Sequence, residues 1–330
     1  MDSSSGLAVV FGGTGFVGRY IVRALAQRGF RVRAAVRNPN LAGFLMQAGA
    51  VGQVSAVQAN LRYPESIAAA LRGAEIAVNA AGVKVPSGRQ TFDAVHAFGS
   101  GEIAKAAAAH GLRALIQISG LGADAQSASP YVASKGAAED AVRAAFPGAT
   151  VLRPSVVFGP EDDFLNRFAA LARMAPVLPV FGGGATKLQP VYVGDIAAAA
   201  LAALDGHDAG GRTYELGGPE VLTLRELMAY VLTVTQRRRL LAPLPFPVAR
   251  AMASATHLAS VLTLGKFPKA LTTTADQVDL LKSDNVVSAA AISEGRDLAG
   301  LGVAPRALDS VAPAYLARYR KTGQFAAASA

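Results

Sequence analysis

A glycine-rich run near the start of the chain has the spacing of a dinucleotide-binding turn. Gly12, Gly15 and Gly18 follow the apolar segment 7–11 and lead directly into an amphipathic helical pattern. In such a turn the glycines permit a tight bend, close approach of a pyrophosphate and close helix packing, and the helix start offers N–H groups to negative charge. The sequence therefore predicts a phosphate-binding turn, with a purely structural turn as the alternative. The expected contacts there are Gly12, Thr14, Gly15, Phe16, Val17 and Gly18.

The residue after the second predicted strand bears on the identity of the cofactor. Proteins that prefer NAD usually carry an acidic residue there, bonded to the ribose hydroxyls. This chain has Arg37, whose guanidinium can hold a 2′-phosphate that a carboxylate would repel. The sequence therefore predicts NADP(H), with a solvated arginine at a strand end as the alternative. Five residues after the third and fourth strands are expected near adenine and ribose: Asn60, Leu61, Ala80, Ala81 and Gly82.

Alternating strands and helices must position these residues. From Leu7 the chain repeats an apolar strand, a turn and an amphipathic helix, which predicts an α/β fold with a doubly wound parallel sheet of the Rossmann type. The predicted strands are 7–11, 32–36, 54–58, 76–79, 115–119 and 150–153. The helix after the first strand is predicted to share one apolar face and to end at Gly29. That face consists of Val17, Ile21, Val22 and Leu25.

The regular alternation of predicted strands and helices ends after Pro154, where turns with glycine and proline become frequent. This change predicts an NADP(H)-binding domain over 1–155 and a smaller C-terminal lobe over 156–330, with 189–212 returning to the first domain. Helices are predicted in the lobe at 161–174, 224–234 and 248–264.

Composition and charge narrow the class of protein. With 330 residues, 52% of them hydrophobic and 17% charged, the chain can bury a large core. It has no cysteine, which excludes disulfides, thiolate metal sites and a cysteine nucleophile. The net charge of +9 favours a nucleotide, an acidic partner or an anionic membrane surface, with a solvated basic surface as the alternative. Because the basic residues are scattered, we expect no nucleic-acid partner.

Targeting and metal-binding signals are not apparent. The start of the chain has no basic region followed by an apolar stretch, so we expect no signal peptide. The longest uncharged apolar stretch, between Arg250 and Lys266, is shorter than the roughly 20 residues of a spanning helix. The four histidines stand singly, predict no metal site and are expected to be surface or packing residues. They are His96, His110, His207 and His257.

These features together resemble the extended or atypical short-chain dehydrogenase/reductase family over nearly the whole chain. The family's Tyr-x-x-x-Lys motif appears as Tyr131 and Lys135, which one helical turn places on the same face. The resemblance implies that the lysine binds the nicotinamide ribose and that the tyrosine is a general acid or base. The family's third catalytic hydroxyl follows the fifth strand, whereas Ser119 stands one or two positions early. The resemblance therefore leaves two roles open, namely catalysis and holding the nucleotide without turnover, with Ser119 also expected near the cofactor.

A narrower resemblance involves two runs on either side of the predicted lobe boundary. Residues 154–168 read PSVVFGPEDDFLNRF, and 189–195 read QPVYVGD. The two runs are similar to the short-chain-dehydrogenase-like accessory subunits of respiratory complex I and their bacterial relatives. The resemblance implies a tightly held NADPH in a structural, peripheral subunit, placed with peripheral-arm subunits at the cytoplasmic face of the cell membrane. Pro154, Ser155 and Val156 are implied as cofactor contacts. The residues 160–163 would also suit a helix start on their own.

Three functions follow from these patterns. The first is a non-catalytic, NADPH-binding accessory or assembly subunit of respiratory complex I. The second is a free-standing NADP-dependent reductase or sugar-nucleotide-type epimerase, which the intact Tyr131 and Lys135 favour. The third is a regulator that senses NADP(H) without turnover. The proline-flanked apolar segment 240–267 is expected to pack within the lobe or to lie against a partner or the membrane interface.

Overall fold

The computed structural model describes residues 6–206, 210–262, 273–321 and 323. The strands are β1 Leu7–Phe11, β2 Arg31–Val36, β3 Val54–Gln58, β4 Ile76–Asn79, β5 Ala114–Ile118, β6 Thr150–Pro154, β7 Val157–Phe158, β8 Val177–Phe181, β9 Lys187–Leu188, β10 Val191–Tyr192, β11 Thr213–Leu216, β12 Leu222–Thr223 and β13 Leu240–Leu244. The helices are α1 Phe16–Gln27, α2 Pro64–Leu71, α3 Gly99–Ala109, α4 Pro130–Ala145, α5 Leu165–Met174, α6 Val193–Asp205, α7 Leu224–Val234, α8 Phe246–Leu262, α9 Ala275–Leu280, α10 Ala289–Ser293 and α11 Leu308–Leu316. A π-helical turn spans Asp93–Phe98.

Seven parallel strands form one sheet in the order β3-β2-β1-β4-β5-β6-β11. The chain runs outward from β1 to β3 and then crosses back to place β4 beside β1. In open sheets of this kind, ligands bind outside the carboxyl ends of the strands at such a reversal. Ile76, Ala77 and Val78 of β4 are fully buried, as expected for a parallel strand covered on both faces. The predicted doubly wound α/β fold is confirmed.

The predicted strands agree with the structure to within one residue. Three have the predicted bounds, β2 begins one residue earlier, β6 ends one residue later, and β5 is shifted by one residue to Ala114–Ile118. Ser119 therefore follows β5, although its N–H still donates to Leu152 O at 2.8 Å. The ladder between β5 and β6 thus reaches Ser119 and fixes its place beside β6.

The first helix has the predicted amphipathic pattern. Ile21, Val22 and Leu25 are buried, and Val17 is half-buried. Gly29 has a φ of +96°, a conformation that favours glycine, and its N–H donates to Ala26 O at 2.9 Å. The prediction that α1 ends at this glycine is confirmed.

The chain divides into two compact units. The first holds the chain up to Pro154, Val193–Leu216 and Val287–Ala304. The second holds Ser155–Tyr192, Gly217–Val286 and the chain from Pro305 onward. The segment Val287–Ala304, which the sequence analysis leaves in the C-terminal lobe, belongs to the first unit: Ser288 N–H donates to Glu215 Oε2 at 2.7 Å and Glu215 N–H to Arg296 O at 2.9 Å. Glu215 lies in β11 at the edge of the main sheet, so these bonds extend that edge.

The second unit contains three short strand pairs, β7 with β10, β8 with β13 and β9 with β12. Its core is formed by apolar side chains of α5, α7, α11 and β8. The predicted helix 224–234 is confirmed. Helix α8 begins at Phe246, two residues before the prediction, and the predicted residues 263–264 lie outside the described residues.

The prediction of a helix over 161–174 is wrong at its start, because α5 begins only at Leu165. The physical reason is the buried Asp162 carboxylate, which accepts hydrogen bonds from the N–H groups of Gly159 and Asn166 at 3.1 and 3.0 Å. These bonds hold residues 159–162 as a turn that precedes the helix.

None of the helices in the described part of the chain combines the length and the apolar character that a bilayer-spanning segment requires.

Candidate functional site

The turn after β1 packs so closely against neighbouring backbone that only glycine fits at two of its positions. Gly12 has a φ of +74°, and a Cβ there would lie 2.7 Å from Ala81 Cα. A Cβ on Gly18 would lie 2.2 Å from the carbonyl oxygen of Gly12. Gly15, at the N-cap of α1, is exposed and donates to Gly12 O at 2.9 Å. The predicted glycines are thus brought together in one tight turn at the carboxyl end of β1.

The N-terminus of α1 is open toward a ligand. No side chain caps it among the described residues, and its first turn carries no acidic residue. The guanidinium of Arg19 donates to the carbonyl oxygens of Thr14 and Gly15 at 3.1 and 3.3 Å. Phe16 and Val17 form the first turn of the helix, where backbone N–H groups lack intrahelical acceptors. Backbone donors and a neighbouring cation therefore meet at the place where phosphates bind in this fold.

Arg37 lies next to this turn, one residue beyond β2. Gly12 N–H donates to Ala35 O at 3.1 Å, which places the end of β2 directly beside the turn. The Arg37 side chain is exposed and forms no hydrogen bond or ion pair with any other residue that the structure describes. A free guanidinium at this position suits a phosphate monoester on the adenosine ribose.

Asn60 and Leu61 follow β3 in a turn of their own. Asn60 Oδ1 accepts the N–H of Arg62 at 3.2 Å, and its own N–H donates to Ser66 Oγ at 3.0 Å. Leu61 packs against α3, since a Cβ on Gly99 would lie 2.8 Å from Leu61 Cβ. Both residues are therefore fixed at the carboxyl edge of the sheet.

The segment after β4 is held by a buried amide network. Ala80 N–H donates to Phe11 O at 3.0 Å, and Ala81 N–H donates to Asn79 Oδ1 at 3.1 Å. The side-chain amide of Asn79 in turn donates to Ser100 Oγ and to Gln117 Oε1, both at 2.9 Å. All of these polar side chains are nearly inaccessible to water, so the backbone at 80–82 is rigidly placed against the glycine turn.

His96 connects the β4 segment to α4, a role that the sequence analysis missed. It is 1% exposed, within the π-helical turn. Its Nε2 accepts the N–H of Val83 at 3.0 Å, so Nδ1 carries the proton and donates to Ser134 Oγ at 2.8 Å. Ser134 Oγ donates to Tyr131 O at 2.7 Å. Burial, together with the charge of Lys135, lowers the pKa of His96 to about 3, so the ring is neutral.

Tyr131 and Lys135 lie in the first two turns of α4. Ser129 caps this helix by accepting Val132 N–H at 3.3 Å. The Tyr131 ring meets the rings of Phe92 and His96 edge-on, with centroids 5.7 and 5.9 Å away. These contacts orient the phenol ring at the start of the helix.

Lys135 reaches the segment that follows β4. A Cβ on Gly82 would lie 3.6 Å from Lys135 Nζ and 3.3 Å from His96 Nε2. The lysine is buried, and burial lowers its pKa to about 8 against the opposing attraction of Glu139. The structure thus brings Lys135 and His96 to Gly82, and the His96 ring in turn contacts the ring of Tyr131.

Ser119 faces a different group. Its hydroxyl donates to Glu139 Oε1 at 2.5 Å. The buried Glu139 carboxylate also binds Arg153 through both oxygens, at 2.8 and 2.7 Å, and Arg143 at 2.8 Å. Glu139 lies about two helical turns beyond Tyr131. The structure therefore does not bring Ser119 to Tyr131, and residues 120–126 contain no serine or threonine that could replace it.

Gly136 is a second residue that sequence reasoning missed. A Cβ at this position would lie 2.1 Å from Ala125 N and 2.4 Å from the carbonyl carbon of Asp124. The glycine lets α4 approach the loop that follows β5. The sequence offered one signal for this role, namely the small residue directly after the motif lysine Lys135, because a small residue there permits close packing.

The run that contains Asp162 forms a polar cluster within the second unit. Besides the two backbone bonds already described, Asp162 accepts Tyr315 OH at 2.7 Å, and Asn166 Oδ1 accepts Arg318 at 2.6 Å. Burial raises the pKa of Asp162, while its hydrogen bonds oppose this. Three implied cofactor contacts lie at the boundary between the units: Pro154 ends β6 in the first unit, and Ser155 and Val156 begin the second. Ser155 Oγ donates to Asn285 Oδ1 at 2.6 Å.

The histidines other than His96 add little to the site. His110 is exposed and bonds to Ala106 O at 2.9 Å. His207 and the side chain of His257 lie outside the described residues. Within the described part of the chain no group of histidine and acidic residues has the geometry of a metal site.

Comparison with known proteins adds four similarities. The model of the NAD dependent epimerase/dehydratase family matches residues 8–217. The chain is 36% identical to the mitochondrial NADH dehydrogenase (ubiquinone) 1 alpha subcomplex subunit 9 of Arabidopsis thaliana, over 98% of this chain and 80% of that protein. It is 34% identical to a ceramide reductase of Caulobacter vibrioides, over 88% of this chain and 89% of that protein. The crystal structure of gox2253 shares the fold, with a TM-score of 0.72 and 22% identity over 98% of this chain and all of that one.

Proposed function

The chain belongs to the NAD dependent epimerase/dehydratase family of short-chain dehydrogenase/reductase proteins, and from this premise we propose that it is an NADPH-binding, non-catalytic accessory subunit of respiratory complex I. The predicted glycine turn, Arg37 and Lys135 support nucleotide binding, whereas Ser119, the candidate for the third catalytic hydroxyl, is bound to Glu139. That contact is the observation that carries the proposal, because it engages the serine nearest to the motif position and leaves the candidate site lacking one group for turnover. The identity to the Arabidopsis thaliana subunit supports the assembly role.

The residues fit a dinucleotide. Gly12 and Gly18 let the turn pack directly against neighbouring backbone, and the exposed Gly15 leaves the uncapped start of α1 accessible. The pyrophosphate would bind at this helix end, the 2′-phosphate at Arg37, and the nicotinamide ribose at Lys135. When bound, NADPH would supply a hydride donor. The role of the chain is to hold and orient the nucleotide and to use it as part of its folded core.

Arg37 provides the test of cofactor choice. The Arg37→Ala substitution is expected to weaken NADPH binding about thirtyfold, because a charge-assisted contact contributes roughly 2 kcal/mol. NADH binding should not change. Arg31→Ala, an exposed arginine at the other end of the same strand, is the matched control. Calorimetry that gave equal NADPH affinities for the wild type and Arg37→Ala would refute the assignment.

Purification from native membranes tests the assembly role. The protein is expected to travel with NADH:ubiquinone oxidoreductase activity, and denaturation of the purified protein should release NADPH. Tyr131→Phe should leave both the released nucleotide and the co-purification unchanged, since the proposal assigns no proton transfer to this phenol. A protein that purified alone and without nucleotide would contradict the proposal.

A second candidate is an NADP-dependent reductase. It is favoured by the intact pair Tyr131 and Lys135, by the hydrogen bond from His96 to Ser134 that fixes the start of α4, and by the similarity to the ceramide reductase. Here the substrate would be a ketone of a lipid, and Tyr131→Phe would abolish NADPH oxidation. The same variant therefore separates the two candidates.

A further inference from the structure

Five basic side chains meet at one end of the second unit. They lie in the last turn of α5, in the loop that follows α7, and after α11: Arg173, Arg237, Arg238, Arg239 and Arg320. The mutual proximity of three of them is evident in Arg237, whose pKa is lowered first by burial and then by the charges of Arg239 and Arg173. No carboxylate among the described residues forms an ion pair with any of the five. We call this group the arginine patch.

The arginines are held in place by backbone carbonyl groups. Arg239 Nε donates to Ala172 O in α5 at 2.8 Å, and Arg320 Nε donates to Val234 O in α7 at 3.0 Å. Arg237 Nε donates to Tyr319 O at 2.9 Å. These bonds satisfy carbonyl groups at the helix ends and fix the stems of the side chains. The patch is therefore preorganised.

The turn that presents the patch is strained. Gln236 has a φ of +52°, in the left-handed region that usually takes glycine at a helix end. The N–H groups of Gln236 and Arg237 donate to Thr233 O and Leu232 O at 3.0 and 2.9 Å. A residue with a side chain is thus kept in a conformation that costs free energy, at the point where the three consecutive arginines emerge.

Exposed apolar side chains lie beside the patch. Met174, Val177 and Leu240 are 57%, 40% and 66% exposed. Leu240 pairs with Val177 in the register of β13 and β8, and its N–H donates to Pro176 O at 3.2 Å. Arg239 precedes Leu240 and Arg173 precedes Met174, so basic residues and exposed apolar residues are direct neighbours in the chain here. Such a mixture is typical of surfaces that insert into the headgroup region of a bilayer.

We propose that the arginine patch, with Met174, Val177 and Leu240, docks on a membrane surface that contains anionic phospholipid. Charge complementarity favours this occupant, because fixed guanidinium groups bind phosphate esters while the aliphatic side chains enter the acyl boundary. The proposal does not depend on the function proposed above, since either a complex-bound subunit or a lipid reductase could use this surface. It concerns residues outside the nucleotide site.

Vesicle flotation of the full-length protein provides the test. Binding is expected to vesicles of phosphatidylcholine mixed with phosphatidylglycerol, to be absent with phosphatidylcholine alone, and to fall as salt screens the charges. Arg238→Glu should weaken binding roughly thirtyfold, because it replaces one attraction with a repulsion of similar size. Leu240→Ser should weaken binding with no loss of its salt dependence.

Arg225→Glu is the matched control. Arg225 is an exposed arginine at the other end of α7, its Nε also bound to a carbonyl group, Gly183 O at 3.2 Å, and the charge change is the same. If Arg225→Glu weakened binding as much as Arg238→Glu, net charge rather than the patch would be responsible, and the proposal would be overturned. The proposal would also be overturned if the wild type did not bind anionic vesicles and Arg238→Glu instead released an acidic protein partner. NADPH retention is measured in the same samples, so its loss would be recognised separately.

Discussion

The two halves of α4 carry buried charges that differ in how fully neighbouring groups compensate them. In the second half, Glu139 is bound by Ser119, Arg143 and Arg153, so its charge is satisfied within the protein. In the first half, Lys135 is also buried, yet its pKa is lowered to about 8 because burial outweighs the attraction of Glu139. A satisfied buried charge serves the fold, whereas an undercompensated one lowers stability until a ligand completes it. One helix thus joins a structural cluster to the candidate nucleotide site.

The largest effect is expected where the satisfied charge is removed. Glu139→Gln would leave two arginines without their buried partner and should lower the free energy of unfolding by about 3 to 5 kcal/mol. Chemical denaturation measures this. Asp140→Asn, at a neighbouring acid that is 69% exposed, should change stability by less than about 0.5 kcal/mol. A Glu139→Gln protein as stable as Asp140→Asn would show that the second half of α4 is not structural.

Removing the undercompensated charge of Lys135 should instead raise the free energy of unfolding. Lys135→Met is expected to stabilise the nucleotide-free protein by up to about 3 kcal/mol at neutral pH, because the cost of burying the charged amine disappears. The same variant should weaken NADPH binding at least about tenfold. Thermal unfolding and calorimetry measure the two effects. Lys105→Met, at a lysine that is 67% exposed, should produce neither. A less stable Lys135→Met protein would mean that the lysine is structural too.

The pH dependence of stability sharpens the same contrast. In the unfolded chain Lys135 keeps its proton up to about pH 10.5, whereas in the folded protein it loses it near pH 8. Between these values the unfolded state binds more protons, so stability should rise as pH rises from about 8 to 10.5. Denaturation curves of the nucleotide-free wild type should show this rise. Lys135→Met should show a flatter profile in that window.

The smallest effect is expected at Ser119. Ser119→Ala removes one hydrogen bond to a buried carboxylate that keeps its arginines, and should lower stability by about 1.5 kcal/mol. Nucleotide affinity and any NADPH oxidation should be unchanged, because the hydroxyl faces Glu139. Loss of NADPH oxidation in this variant would instead place Ser119 in catalysis.

The sequence predicted local features well. The glycine turn, the strand bounds and the Tyr131–Lys135 spacing depend on residues close in the chain, where patterns of period two and four are visible. The contacts of Ser119 with Glu139 and of His96 with Ser134 join residues 20 and 38 positions apart, and no local pattern encodes them. The start of α5 was missed for the same reason, because a buried Asp162 that is bound by Tyr315, 153 residues away, looks like an ordinary helix-capping acid in the sequence.

The neutral ring of His96 has a consequence for how the protein responds to acid. A proton on Nε2 would replace the bond from Val83 with a clash between two donors, so His96 can take it up only if the loop opens. A histidine in the unfolded chain binds a proton below about pH 6.5. Each unit by which the pH falls below this value should therefore lower the free energy of unfolding by up to about 1.4 kcal/mol, until the folded ring titrates near pH 3. The loop and the helix start that the ring joins would then separate first in mild acid, while the hydrophobic strands behind them stay paired.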